Sequence, residues 1–317
     1  MPQVDEIVGI DVSKRKLDWC IRDVAAGTTA HTPNDCNDLA ASLVERGIKV
    51  AIMEASGGYE QTIALILREA GIAVRIIDPK RIRSFAEAGG SYAKTDKIDA
   101  KMIAWFGATF PEKEREPDDI DREPLAALVG MREDLVSMRS EWLNRAEHGL
   151  SGLAQKVHNG LIKNFNQAVA KLDAAIAKAI EAQPGLAQDA ELITSVPGLG
   201  LQTAAATLAW LPELGRIEHE QISALVGVAP YDDSSGERDG ARHIAGGRHR
   251  LRRALYMATL GAATQHNPVL KAFYNRLRAK GKSAKVALVA CMRKLLGILN
   301  AMLAHKQAWA PPQPAVA

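Results

Sequence analysis

The stretch Ile7-Val8-Gly9-Ile10-Asp11-Val12-Ser13 decides the fold. Val8, Ile10 and Val12 alternate with Ile7, Gly9 and Asp11, which is the period of a β-strand and turns Asp11 away from the valines. A strand is therefore predicted over residues 4–12, ending on an acid. Residues 15–22 alternate again, Ala26-Gly27 reads as the hairpin turn after them, and a third short strand is expected over Thr28–Thr32. Then the period changes. An amphipathic helix is predicted over Cys36–Arg46, stopped by Gly47, followed by a buried strand Lys49–Glu54. A helix over Tyr59–Ala70, a strand Ile72–Ile77 and a helix opened by Pro79 come next. A loop Gly89-Gly90-Ser91 leads to a helix that starts at Asp96. Three antiparallel strands followed by alternating helices and strands is the order of a ribonuclease-H-like fold, so an α/β domain is expected over residues 1–110.

Outward from that strand lie three more acids. Glu54 closes Val50-Ala51-Ile52-Met53-Glu54, on the strand expected beside the first. Asp96 and Asp99 stand three residues apart in Lys94-Thr95-Asp96-Lys97-Ile98-Asp99-Ala100, so they share a helical face close to a helix N-terminus that tolerates negative charge. Four gathered carboxylates raise one another's pKa values, and divalent cations relieve that cost. Asp11, Glu54, Asp96 and Asp99 are therefore candidate Mg²⁺ ligands and candidate catalytic residues. Two such ions would orient a phosphodiester and stabilise both its attacking and its leaving oxygens. Taken singly, each acid reads as a cap or a solvated side chain.

The second half differs in kind. Residues 111–124, rich in Pro, Glu and Asp, read as a linker. Leu128, Met131, Leu135, Met138 and Trp142 step by three and four, as do Ile162, Phe165, Val169, Leu172 and Ile176, with Gly149 and Gly152 between the two runs. A helical hairpin with coiled-coil-like seams is expected over 125–183. A mainly α-helical domain is expected over 184–306. It contains a helix-hairpin-helix-like segment around Val196-Pro197-Gly198-Leu199-Gly200, whose glycine turn either offers N–H groups to a phosphate or simply joins two core helices. Val286, Val289, Leu295, Leu296 and Leu299 are expected inside the last helix. The Pro-rich tail, within 307–317, is expected to be disordered.

Charge is the other signal of this half. From Arg238 to Lys306 there are 15 Lys or Arg and one acid, Asp239, while the remainder of the chain has 25 basic and 36 acidic residues. A segment of that sign asks for a polyanion, and nucleic acid is the usual one. Arg238, Arg242, Arg248, Arg250, Arg252 and Arg253 are the candidate nucleic-acid contacts. They follow the loop Tyr231-Asp232-Asp233-Ser234-Ser235-Gly236. By composition Ser235 is a turn residue. Beside a metal-bound phosphate and several guanidinium groups it becomes a candidate nucleophile. The three cysteines (Cys20, Cys36, Cys291) form no metal-binding pair and read as small buried hydrophobes. No apolar run approaches the roughly 20 residues of a membrane helix, and no basic-then-apolar leader pattern opens the chain, so a cytoplasmic, nucleoid-associated protein without a membrane partner is expected.

These motifs occur in an order that resembles one family. Gly9-Ile10-Asp11-Val12-Ser13-Lys14, Glu54-Ala55-Ser56-Gly57-Gly58-Tyr59-Glu60 and Lys94-Thr95-Asp96-Lys97-Ile98-Asp99-Ala100 look like the Asp-Glu-Asp-Asp set of the insertion-sequence one-hundred-and-ten transposases. Val196-Pro197-Gly198-Leu199-Gly200, Ser234-Ser235-Gly236, Gly246-Gly247-Arg248 and Leu251-Arg252-Arg253-Ala254-Leu255-Tyr256-Met257-Ala258 are similar to that family's C-terminal transposase domain. The resemblance spans about residues 4–306. It implies a RuvC-like nuclease domain, a coiled coil and a C-terminal domain with a catalytic serine. The activity implied is site-specific recombination of donor and target double-stranded DNA, guided by an element-encoded bridge RNA and passing through a phosphoserine link. The implied assembly is a homo-oligomer, dimers joining to a tetramer, in which acids and serine come from different subunits. Carried over by position, Asp11, Glu54, Asp96 and Asp99 bind Mg²⁺ and Ser235 is the nucleophile, with Ser234 its alternative. The competing reading is a RuvC-like junction endonuclease that uses metal-activated water and forms no covalent intermediate. A sugar-kinase-like phosphotransferase would need Gly-rich ATP loops in a later domain, and the sequence has none. A non-catalytic nucleic-acid binder would leave the four acids idle.

Overall fold

The computed structural model describes residues 6–90, 96–110, 122–147, 149–235, 238–240 and 242–311, with the side chains of 96–98, 234, 235, 238 and 239 outside that description. The chain divides into two compact units, Met1–Glu116 and Pro117–Ala317.

The first unit is built on a mixed five-stranded sheet. Its strands are β1 (Ile7–Val12), β2 (Lys16–Ile21), β3 (Ala25–Ala30), β4 (Val50–Glu54) and β5 (Ala73–Ile77), in the spatial order β3-β2-β1-β4-β5. β1, β2 and β3 pair antiparallel, whereas β4 runs parallel to both β1 and β5. Four helices cover it: α1 (Pro33–Glu45), α2 (Glu60–Glu69), α3 (Pro79–Ala88) and α4 (Asp96–Thr109). α1 and α3 begin where the local chemistry dictates. Thr32 and Asp78 are extended residues whose side chains accept the Asp35 and Lys80 N–H groups, and each precedes a proline at the first helical position.

Strand alternation splits the core into two layers. Val8, Ile10, Val12, Ala51 and Met53 pack with Leu39, Leu43, Ile63 and Leu67 of α1 and α2. Ile7, Ile52 and Ile77 pack on the other side with Ile82, Met102, Ile103 and Phe106 of α3 and α4. Burial of these side chains, roughly 1.5–3 kcal/mol for each of the larger ones, is what holds the helices on both faces of the sheet.

One expectation fails here. Ala26-Gly27 is not the hairpin turn; both residues lie within β3. The chain reverses at residues 22–24, where Asp23 has φ +58° and the Val24 N–H meets the Ile21 carbonyl at 3.1 Å. Gly27 sits opposite Trp19 in the ladder, and a Cβ there would lie 2.7 Å from the indole Cζ2. The glycine makes room for an aromatic ring, a need that looks the same as a turn signal in sequence.

The second unit is helical. Its long helices α5 (Glu123–Ala146) and α6 (Gly152–Glu181) run antiparallel: the Arg139 guanidinium donates to Asn166 Oδ1 at 2.8 Å, and the His158 ring nitrogen Nε2 lies 3.0 Å from the Trp142 carbonyl. Arg132 pairs with Asp173 further along the same seam. α5 begins at Glu123, inside the range expected for the linker, of which residues 111–121 lie outside the described residues. The expected apolar stripes are only partly inside: Val169 and Ile176 are buried, Leu128, Leu135 and Trp142 are half-buried, and Met131 and Met138 are exposed, while α5 buries Leu125 and Val129 instead.

α7 (Pro184–Thr194), α8 (Leu201–Trp210), α9 (His219–Val226), α10 (His249–Gly261), α11 (Pro268–Ala279) and α12 (Ala284–His305) complete the unit around one core, which also takes in Leu125, Val129, Ile176 and Ile180 of the hairpin. Of the residues expected inside α12, Leu295, Leu296 and Leu299 are fully buried, and Val289 packs against the core. Val286 does not, being 54% exposed in the first turn of the helix. The sequence expectation also missed that α12 is long and apolar enough to span a membrane; half of that stretch is buried inside the unit, as the core helix. Cys20, Cys36 and Cys291 are buried and unpaired, and burial pushes the Cys291 thiol up to about 11. Residues 312–317 of the expected tail lie outside the described residues.

Candidate active site

Gly9 positions the site. It faces α4, and a Cβ on it would overlap the Ala100 carbonyl oxygen and the Ala104 nitrogen, so only glycine lets the helix lie directly on the strand. Further along α4, Gly107 is pressed against Ile52 and Ile7 in the same way. As α4 advances from 100 to 107, its contacts on β1 retreat from Gly9 to Ile7. The helix is thus antiparallel to β1, and its first turn, residues 96–99, reaches the edge where β1 ends.

Two acids stand at that edge. Asp11 follows Gly9 by two residues and therefore shares its face. β1 and β4 pair in parallel with Gly9 opposite Ile52 and Ile10 opposite Met53, so the register carries Asp11 to the level of Glu54, on the Ile52 face. The backbone thus brings Asp11, Glu54 and the helical turn bearing Asp96 and Asp99 to one face and one end of the sheet. Asp11, Glu54 and Asp99 are each half-buried. Among the described residues no three His, Cys, Asp or Glu side chains close into a metal-sized cluster. The Asp96 side chain, with Lys94 and Thr95 of its motif, lies outside that description.

Two further carboxylates shape this edge and escaped the sequence reading. Asp18, 3% exposed, is directly opposite Asp11 in the β1–β2 ladder. Thr28 donates its hydroxyl to Asp18 at 2.5 Å, and the Lys16 ammonium lies 3.0 Å away. Glu60 is 5% exposed and folds the turn after Glu54 onto itself. Its Oε2 accepts the Ser56 N–H (3.0 Å), the Ser56 hydroxyl (2.7 Å) and the Gly58 N–H (2.9 Å). Gly57 and Gly58 supply the positive φ of that turn, +76° and +108°. Burial raises the Glu60 pKa, but the hydrogen bonds outweigh it and hold the carboxyl below its ordinary value. The signal for Asp18 was its alternation with Trp19 and Cys20; the signal for Glu60 was nothing more than a glycine pair followed by an acid.

The second unit carries the serines. β7 (Ser234–Ser235) and β8 (Arg238–Asp239) form a two-stranded ribbon in which Ser235 is opposite Arg238 and Ser234 opposite Asp239. Gly236, the next residue of the motif, lies outside the described residues. A second ribbon, β6 (Pro230–Tyr231) with β9 (His243–Ile244), lies alongside in the chain.

The downstream arginines are largely occupied. Arg248 forks onto Glu213, a carboxylate with 4% exposure, at 2.6 and 2.7 Å, and also meets the Trp210 carbonyl at 2.9 Å. Arg252 donates to the Gly227 and Gly246 carbonyls. Arg250 reaches Asp134 at 3.2 Å and Arg253 reaches Glu133 at 3.4 Å. Burial pushes the Glu133 carboxyl up in spite of that guanidinium. Arg242 pairs with Asp232 at 2.5 Å on the surface. The Val196–Gly200 turn is also committed to packing, since a Cβ on Gly198 (φ +92°) would lie 2.9 Å from the Ala262 Cα. Ala262 opens a π-helical turn, Ala262–His266.

Known proteins resemble the chain along most of its length. A family profile described as "Transposase", for the DEDD transposases of IS110, matches residues 8–154, and one described as "Transposase IS116/IS110/IS902 family" matches residues 190–275. The chain is 26% identical over 312 residues to the "Pilin gene-inverting protein" of Moraxella lacunata, covering 93% of this chain and 95% of that one. It is 27% identical over 308 residues to the protein of the same name from Moraxella bovis, with the same coverage. An "Insertion element IS110 uncharacterized 43.6 kDa protein" of Streptomyces coelicolor is 31% identical over 132 residues, 40% of this chain and 32% of that one. An enzyme that rearranges DNA, a transposase or recombinase, is the class these matches define. The first profile covers the sheet unit and runs on through α5, the second lies within the helical unit, and the chain belongs to the IS110 family of transposases.

Proposed function

We propose that the chain is an RNA-guided DNA recombinase in which the carboxylate edge of the first unit and the serine ribbon of the second act on one scissile phosphate. The observation that carries this reading is the convergence of Asp11, Glu54 and the first turn of α4 on one end of the sheet, forced by Gly9. The strand order β3-β2-β1-β4-β5 supports a RuvC-like, ribonuclease-H-type fold for residues 1–110. The antiparallel pairing of α5 and α6 supports a coiled-coil hairpin over 125–183, joined by the 111–124 segment, with the serine transposase domain over 184–306. Bridge RNA, assembly of dimers into a tetramer, a composite site between subunits and a cytoplasmic setting rest on the family resemblance.

Carboxylate oxygens are hard donors suited to Mg²⁺, and Asp11, Glu54, Asp96 and Asp99 are the residues that would hold it. When bound, the metal neutralises charge on the phosphate and its leaving oxygen. The rest falls to the chain. Ser235 forms an Oγ–P bond as one P–O ester bond of the DNA breaks, and its proton passes through solvent to the departing deoxyribose oxygen. Attack on that phosphoserine by the hydroxyl of another strand restores the serine and joins new ends. One phosphodiester replaces another, so no energy source is consumed. The ribbon register favours Ser235 over Ser234, because position 235 is opposite a cation and position 234 opposite an acid.

The test is a protein–DNA adduct that survives denaturation, formed with divalent metal on a nicked substrate. Its loss in Ser235→Ala and persistence in Ser234→Ala is the expected result. Cleaved ends without trapped protein would instead select the RuvC-like endonuclease using water.

A further inference from the structure

The basic residues between Arg248 and Lys285 fall into two groups that sequence cannot separate. Those of α10 and its approach are engaged by Glu213, Asp134 and Glu133 or by backbone carbonyls. Those of α11 and the turn into α12 are not. Lys271, Arg276, Arg278, Lys280, Lys282 and Lys285 are all exposed. Among the described residues none of the six pairs with a carboxylate, and the polar contact of Arg278 is with the Lys282 carbonyl, 2.6 Å away. Residues 240–317 contain no acid at all, so none can be recruited locally. At the centre of the group, the Arg276 guanidinium lies 5.1 Å and the Lys294 ammonium 4.9 Å from the same Phe273 ring. Each such contact is worth only about 0.5–1 kcal/mol at an exposed site, so the ring orients the two cations without neutralising either, and their charge stays available to an anion.

From this arrangement we propose that the α11–α12 hairpin, not the α10 arginines, is the surface that grips the sugar–phosphate backbone of duplex DNA, with Phe273 orienting Arg276 and Lys294 within it. The inference rests on the recombinase reading, which supplies DNA as the polyanion. The grip is independent of sequence. Lysines dominate the patch, and its aromatics, Phe273 and Tyr274, are half-buried, so the surface lacks the exposed rings that stack unpaired bases. A row of cations along a helix and its following turn suits the repeated phosphates of a duplex. The α10 arginines, in contrast, are structural: they tie the hairpin and the 210–213 turn to the core.

The experiment uses the full chain with a random-sequence DNA duplex, measuring Kd by fluorescence anisotropy across a salt series. In Arg276→Gln/Lys280→Gln/Lys282→Gln/Lys285→Gln the slope of log Kd against log salt is expected to fall by about three to four, near 0.9 for each phosphate contact removed, with an unchanged melting profile. Single variants Lys282→Gln and Lys285→Gln, each expected to lower the slope by about one, keep the test open if the quadruple variant misfolds. An unchanged slope overturns the proposal. So does a loss confined to an RNA duplex of the same length. An unsubstituted chain that binds no duplex at any salt overturns the recombinase reading itself, an outcome separate from a variant that binds as tightly as its parent.

Discussion

The acids of the first unit and the bases of the second are equally conspicuous in the sequence, and the fold treats them in opposite ways. Asp11, Glu54, Asp96 and Asp99 come from two strands and a helix, yet parallel pairing and a glycine contact deliver them to one edge. Arg248, Arg250, Arg252 and Arg253 come from α10 and its N-cap, yet Arg248, Arg250 and Arg253 spread outward into ion pairs with Glu213 and α5, and Arg252 onto backbone carbonyls. Neighbours in sequence thus part in space, while residues far apart in sequence come to one edge of the sheet. Carboxylates converge when backbone elements do, because short side chains have little reach. Arginines follow whichever carboxylate their long stems find, so a basic run is a supply of ion pairs before it is a binding surface.

The contrast can be broken most forcefully at Arg248. Arg248→Ala removes the fork from a carboxylate that is 4% exposed, and should cost about 3 kcal/mol in chemical denaturation while leaving the salt slope of DNA binding unchanged in the folded chain. A drop in that slope without loss of stability would return Arg248 to the nucleic-acid surface. On the acidic side, Asp11→Asn should lower strand cleavage by about 10²–10³-fold with duplex binding retained, read by gel and by anisotropy on the same preparation. Wild-type cleavage would remove Asp11 from the chemistry.

Gly9→Ala separates geometry from charge. The added methyl meets α4 backbone, so a loss of about 1–3 kcal/mol is expected, together with a cleavage defect although no acid has been changed. Full activity in this variant would mean that the α4 turn is not required at the edge of β1. The mildest change is Glu60→Gln, expected to cost about 1–2 kcal/mol by weakening the bonds to Ser56 and Gly58. Because the folded-state pKa of Glu60 is lowered, the ionised carboxylate contributes stability above the ordinary glutamate value. That contribution disappears as pH falls through the lowered folded value. The stability gap between wild type and Glu60→Gln should therefore close on acidification, and a gap independent of pH would show that the charge plays no part.

Much of the first unit was legible because its signals are local. Alternation in residues 7–12, the proline that opens α3, and glycine stops at Gly47 and Gly71 act over one or two turns of chain, and the strands and helices stand close to where those signals put them. The failure at Ala26-Gly27 has the same origin: the demand for a bare Cα came from Trp19, across the sheet, and nothing within the local window carries it. Asp18 and Glu60 were hidden for a related reason. One matters only once β2 lies against β1, and the other only once residues 56–58 fold back over its carboxylate.

By itself, then, the sequence determined the order of elements in the sheet unit, the helical character of the remainder, the four acids, the serine pair and the excess of positive charge. Each of these follows from residue type and from periods of two or 3.6. The tertiary structure alone decided that α4 runs back along β1 to meet Asp11, that Ser235 rather than Ser234 stands opposite Arg238, and which cations are spent on Glu213, Asp134 and Glu133 and which stay open around Phe273. Those outcomes depend on register and on which partner a long side chain reaches, and both are fixed only when segments distant in the chain are packed together.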